Sequence, residues 1–185
     1  MHYYSLGKIS PNVDFKTAAI TGQAPDKGLY FPSEIPQFTK EQIERFKTLD
    51  KATLAFEVMK PYVAGTIDDA SLQTICAETV NFDFPLVAIT EQIVALELFH
   101  GPTLAFKDVG ARFMSRCLGY FAKQSTASSN EKISSTKNTI TKATTVLVDT
   151  SGDTGGAVAN GMLGVEGLNV IILYPKGKVS PIQEL

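Results

Sequence analysis

From residue 93 onward, short apolar runs alternate with a longer stretch of helical period. Residues 93–98, 145–148 and 170–174 are runs rich in Ile, Val and Leu, whereas Phe106, Val109, Phe113, Cys117 and Tyr120 recur three or four apart. The runs predict strands, and the recurrence predicts a helix over 106–123 with those residues on one face. Strands alternating with helices predict an α/β fold: a parallel sheet with right-handed crossovers and flanking helices.

Residues 1–85 read differently, as a mainly helical segment of short helices joined by turns, with a strand at 3–6. Thr39 and Gln42 are spaced as a capping box ahead of a helix through Phe46. Asp68 or Asp69 can cap another helix, one that puts Leu72, Ile75, Cys76 and Thr79 on a common face. Pro25-Asp26-Lys27-Gly28 reads as a turn in which Pro presets φ and Gly accepts positive φ. The α/β region, 86–185, is interrupted at 124–141 by Ser, Thr, Asn and Lys with hardly an apolar residue, which reads as a solvated, mobile loop. Ser180 and Pro181 are a helix cap and first-turn proline, and the sequence stops at Leu185 with that helix barely begun. A helix so short cannot hold itself together. The expectation is therefore an N-terminal portion of something larger, its α/β region incomplete.

Composition narrows the functional classes. With 44% apolar residues the chain can build a real core, and a net charge of -2 leaves no basic footprint for nucleic acid. No apolar run is long enough to span a bilayer, and the start, Met-His-Tyr-Tyr-Ser, lacks the charged-then-apolar pattern of a secretory signal. A cytoplasmic protein acting on a small molecule is the expectation. Cys76 and Cys117 fit no metal or redox spacing and sit at apolar positions of helical patterns, so they read as small buried hydrophobes. His2 and His100 are too few to suggest a transition-metal site, and none is expected.

Two stretches carry candidate chemistry. In Glu97-Leu98-Phe99-His100-Gly101-Pro102-Thr103-Leu104-Ala105-Phe106-Lys107-Asp108 a lysine stands at a helix mouth behind a tight turn. The helix dipole and the apolar neighbours Leu104, Ala105 and Phe106 would disfavour its charged form, which is what a nucleophilic amine needs. By its neighbours alone Lys107 is more readily a solvated surface charge; the abrupt Gly101-Pro102-Thr103 turn, which could aim the side chain, counts the other way. Asp108 suits the first helical turn without being an acid or base, His100 reads as a hydrogen-bonded structural residue, and Thr103 is either a ligand contact or a plain turn residue. The second stretch, Asp149-Thr150-Ser151-Gly152-Asp153-Thr154-Gly155-Gly156, follows a strand and opens a helix. It is equally an anion site built on backbone N–H groups or a plain tight turn. Its glycines match neither the dinucleotide fingerprint nor the nucleotide-binding phosphate loop.

The run ELFHGPTLAFKD resembles the lysine motif of threonine synthases, and TSGDTGGAVA resembles their second loop. YYS near the start, APDKGLYFP and VIILYPKGKVSPIQEL extend the resemblance over most of the chain outside 124–141. It implies the fold-type II architecture of pyridoxal-phosphate enzymes related to the tryptophan synthase β subunit. It further implies pyridoxal 5'-phosphate held as a Schiff base on Lys107, the catalytic base, and O-phospho-L-homoserine as substrate, converted with water to L-threonine and phosphate. Ser151, Gly152, Thr154 and Thr103 would bind substrate, and Asp153 would face the cofactor. The family's cofactor-phosphate loop and the residue facing the pyridine nitrogen have no counterpart before Leu185, so the isolated chain is expected to be inactive and to need the C-terminal part of the protein. A phospholyase that forms a keto acid without adding water, and a non-catalytic domain of the same fold, are the alternatives.

Overall fold

The computed structural model describes residues 1–130, 144–150 and 152–180. The chain divides into two compact units, Met1–Asn81 and Phe82–Leu185.

In the first unit, β1 (Tyr3–Ser5) pairs antiparallel with β2 (Tyr30–Pro32), and four helices follow the chain: α1 (Phe15–Thr21), α2 (Lys40–Phe46), α3 (Lys51–Val63) and α4 (Asp69–Thr79). Every one of these helices starts on a side-chain cap. Asp14 accepts from the Thr17 amide, Asp50 from Ala52 and Thr53, and Asp68 from Ser71. Thr39 and Gln42 form the expected capping box. Such caps satisfy amides that have no partner inside the helix, and so mark where each helix begins. The core lies between α3 and α4, where Phe56 and Val63 meet the buried face of Leu72, Ile75, Cys76 and Thr79. Burial pushes the Cys76 thiol up to about 11, as suits a small hydrophobe rather than a reactive thiolate. Tyr3, also buried, anchors β1 to α3 by donating its hydroxyl to the Tyr62 carbonyl at 2.9 Å.

The turn at 25–28 forms, but the reason for its glycine differs from expectation. The positive φ falls on Lys27, at 64°, and not on Gly28. Gly28 is required by close approach: a Cβ there would strike the Ser5 hydroxyl and lie 2.7 Å from the Gly7 amide nitrogen.

The second unit departs from the expected strand plan at its first strand. Residues expected at 93–98 form β4 (Val94–Leu96), which pairs antiparallel with β3 (Leu86–Ala88) as a hairpin closed by Ile89 donating to the Ile93 carbonyl at 2.9 Å. A connection this short can only reverse the chain, because parallel neighbours need a crossover of a dozen residues or more. The later strands do form the parallel pair. β5 (Thr144–Asp149) and β6 (Leu168–Leu173) run in register from Thr144↔Leu168 to Asp149↔Leu173, joined through α6 (Asp153–Met162).

Between hairpin and parallel pair, α5 runs from Asp108 to Asn130. It begins two residues later than the periodicity suggests, leaving Phe106 outside the helix and 64% exposed. It also continues through the first residues of the polar stretch at 124–141; the remainder of that stretch lies outside the described residues. Gln, Ala and Ser are tolerated in a solvated helix, so polarity alone does not end one. Asp108, Ser115, Cys117, Leu118 and Phe121 are buried along it, and Val109, Phe113 and Tyr120 are half-buried. Helix α6 closes against it where Gly161 meets Ala111: a Cβ on Gly161 would sit 3.1 Å from the Ala111 carbonyl. Among the described residues no helix is long and apolar enough to cross a membrane.

Candidate active site

The lysine segment is a tight turn bolted to the helix it precedes. Leu104 donates its amide to the Gly101 carbonyl at 3.1 Å and takes φ 60°, a left-handed conformation unusual for leucine. Asp108, the first residue of α5, is 1% exposed, and its carboxylate reaches back to Thr103: the amide donates to Oδ2 at 2.9 Å and the hydroxyl to Oδ1 at 2.5 Å. Ala105 accepts from the Asp108 amide at 3.0 Å. Lys107 occupies the cap position, its carbonyl accepting the Ala111 amide at 2.9 Å. Its side chain is half-buried, with Nζ 5.8 Å from the centroid of the Phe106 ring. The expected apolar collar is only partly closed: Ala105 is buried, while Leu104 is 68% and Phe106 64% exposed. His100 is hydrogen-bonded to Glu97 at 2.6 Å and stacked on Phe99, as a structural histidine would be.

The second loop is organised around Thr150. Its hydroxyl oxygen accepts the amides of Gly152 at 3.2 Å and Gly155 at 3.1 Å, and Thr150 donates to the Gly152 carbonyl. Gly155 must be glycine, since a Cβ there would run into the Thr150 methyl. Helix α6 has Gly152 at its N-cap, so the cap residue itself brings no side chain, and the Thr150 hydroxyl takes the Gly155 amide of the first turn instead. Asp153 and Thr154 stand exposed in the first turn. Ser151 lies outside the described residues.

These two segments, distant in sequence, wall one cavity of about 820 Å³. Pro102, Thr103, Leu104 and Ala105 form one side, Thr150, Gly152 and Asp153 another, and Val170, Ile172 and Tyr174 of the β6 region supply an apolar wall. Thr103, Gly152 and Asp153 are thus brought together; Lys107 and Thr154 border the cavity's segments without lining it. Thr150 and Tyr174 were not singled out by the sequence reading. A signal for Thr150 existed, since a threonine two residues ahead of Gly-Asp-Thr-Gly can take the following amides as a local turn. Tyr174 carried no such mark.

Residues 2–80 match the family described as threonine synthase N terminus. Threonine synthase of Buchnera aphidicola (subsp. Acyrthosiphon pisum) is 38% identical over 185 residues, covering 100% of this chain and 39% of the relative. The crystal structure of threonine synthase from Escherichia coli superposes with a TM-score of 0.83 at 35% identity, covering 100% of this chain and 39% of that one. The crystal structure of PLP-bound threonine synthase from Brucella melitensis gives a TM-score of 0.86 at 35% identity, covering 100% of this chain and 38% of that one. The chain spans about two fifths of the length of the relatives it matches. Over its whole length, then, the chain is similar to threonine synthases and corresponds to their N-terminal portion.

Proposed function

We propose that this chain is the lysine-bearing part of a fold-type II, pyridoxal-phosphate-dependent threonine synthase, which converts O-phospho-L-homoserine and water to L-threonine and phosphate. The observation that supports this best is the convergence of the Gly101-Pro102-Thr103 turn and the Gly152-Asp153 loop on one cavity. The cavity suits the cofactor in its lining: Gly152 and Asp153 place the positive end of the α6 dipole at the cavity, where it favours an anion, and Val170 and Ile172 offer an apolar wall to a ring. When bound, pyridoxal phosphate supplies an electron sink for charge that develops on substrate carbon.

The chain's own residues take the remaining roles. Lys107 holds the cofactor covalently through its amine and then serves as the base that takes and returns protons on the α, β and γ carbons of the substrate. Ser151, Gly152, Thr154 and Thr103 bind substrate, with backbone donors at the start of α6 attracting its carboxylate, and Asp153 faces the cofactor. Threonine formation is assigned to a polypeptide of the relatives' full length; the 185-residue chain alone is expected to be inactive.

Borohydride reduction of the full-length protein with pyridoxal phosphate, followed by peptide mapping, is expected to place the pyridoxyl label on Lys107. Product analysis with O-phospho-L-homoserine is expected to give threonine and phosphate in equal amounts. A label on another lysine overturns the assignment of Lys107, and a keto acid in place of threonine makes the protein a phospholyase. Threonine made by the isolated chain would overturn the division of labour proposed here.

A further inference from the structure

The carboxylate of Asp108 is a buried charge of the lysine segment that the proposed chemistry leaves without a task. It is 1% exposed, and burying an ionised carboxylate is costly unless its oxygens accept hydrogen bonds. Both oxygens accept from the same residue, the amide and the hydroxyl of Thr103. The loop so closed contains Leu104 at φ 60° and Lys107, and Gly101 packs on the outside of the clamp, where a Cβ would press to 3.0 Å on the Asp108 Cβ and Cγ. On its other side Lys107 is fastened by its carbonyl to Ala111. The backbone on both sides of the amine-bearing residue is therefore held, and the residue that closes the clamp is Asp108.

We propose that Asp108 is a positioning residue which, through its two bonds to Thr103, fixes the 103–108 loop that carries Lys107 and sets the chemical character of Thr103 toward the cavity. This rests on the functional reading above and refines it. With its amide and its hydroxyl proton both given to Asp108, Thr103 offers the cavity lone pairs and a methyl group. It accepts from a substrate or lysine N–H, and the attraction of carboxylate or phosphate falls to the amides at the start of α6. Asp108 touches neither substrate nor cofactor; it acts through Thr103.

The test uses the full-length protein carrying Asp108→Asn, which keeps the shape but loses one acceptor oxygen, and Thr103→Val, which removes the hydroxyl bond alone. Asp108→Asn is expected to speed exchange of the Thr103 amide by about tenfold or more while the amides of Cys117 and Phe121 stay protected. It is also expected to shift the pH midpoint of the bound cofactor's absorbance and to lower kcat/KM by about tenfold or more, with the double variant losing little beyond the worse single one. Unchanged Thr103 exchange together with an unchanged pH midpoint overturns the proposal, as does acceleration spread evenly along α5, which would mean a merely structural role. Should Asp108→Asn fail to fold, Thr103→Val carries the same readings at the Leu104 amide and the pH midpoint. A wild-type protein that takes up no pyridoxal phosphate overturns the functional reading by itself, and the exchange measurement then decides the clamp alone.

Discussion

At the scale of single residues, Asp26 in the first unit shows how a carboxylate can hold a turn together. It accepts the Ser5 hydroxyl at 2.6 Å, the Gly28 amide at 3.0 Å and the amides of Ile9 and Ser10 at 3.1 Å each. These donors, the Ser5 hydroxyl foremost, hold its carboxyl well below the usual carboxylate range. Because the folded value is depressed, the stabilisation is present above the unfolded value of about 3.9 and is lost as pH falls through and below it. Urea unfolding of the protein followed downward from pH ~6 is expected to show a fall in midpoint below about pH 4, and Asp26→Asn is expected to flatten it. An unchanged acid slope in Asp26→Asn would show that other carboxylates carry the effect. The same turn marks a limit of reading sequence: Pro-Asp-Lys-Gly announces a turn, but its glycine is required by the close approach of Ser5 and Gly7, some twenty residues away in the chain, and not by a positive φ.

At the scale of elements, signals that are local in the chain survived into the structure, whereas those that depend on a partner did so only in part: β5 and β6 form the expected parallel pair, but β4 pairs antiparallel. The Thr39 box and the Asp68 cap are satisfied within three residues, so the sequence contains the whole interaction. The buried face of α4 was equally legible, because its period is internal to the helix. Strand 93–98 was visible as a strand, yet its antiparallel pairing with Leu86–Ala88 was not, since an apolar run carries no direction. The boundaries of α5 failed for separate reasons: the Thr103–Asp108 clamp keeps Phe106 out of the helix, and a polar sequence continues it to Asn130. The contrast between cap and core gives a quantitative expectation. Leu72, 1% exposed between α3 and α4, should cost about 2–5 kcal/mol when changed to alanine, whereas Thr39→Ala should cost only about 1 kcal/mol. Equal shifts in urea unfolding would mean that the α3–α4 contact is not the core of this unit.

At the scale of the whole molecule, the candidate site was legible as two motifs and only the fold shows that they share a cavity, because 43 residues lie between Asp108 and Gly152. The parallel pair that positions the second motif raises a question of its own. Parallel strands are ordinarily covered on both faces. Here Val146, Val148, Val170 and Ile172 are half-buried, whereas Leu147, Ile171 and Leu173 on the opposite face are 63%, 50% and 49% exposed. The relatives are far longer than this chain, so the expectation is that further residues of the full-length protein cover Leu147, Ile171 and Leu173. Ile171→Lys makes the distinction measurable. In the isolated chain the lysine meets water and should shift stability by no more than about 0.5 kcal/mol. In the full-length protein it would be buried without a partner and should cost about 2 kcal/mol or more. Equal, small effects in both would mean that this face stays open to solvent in the complete protein, and that β5 and β6 hold the Thr150–Asp153 loop in place with cover on one side only.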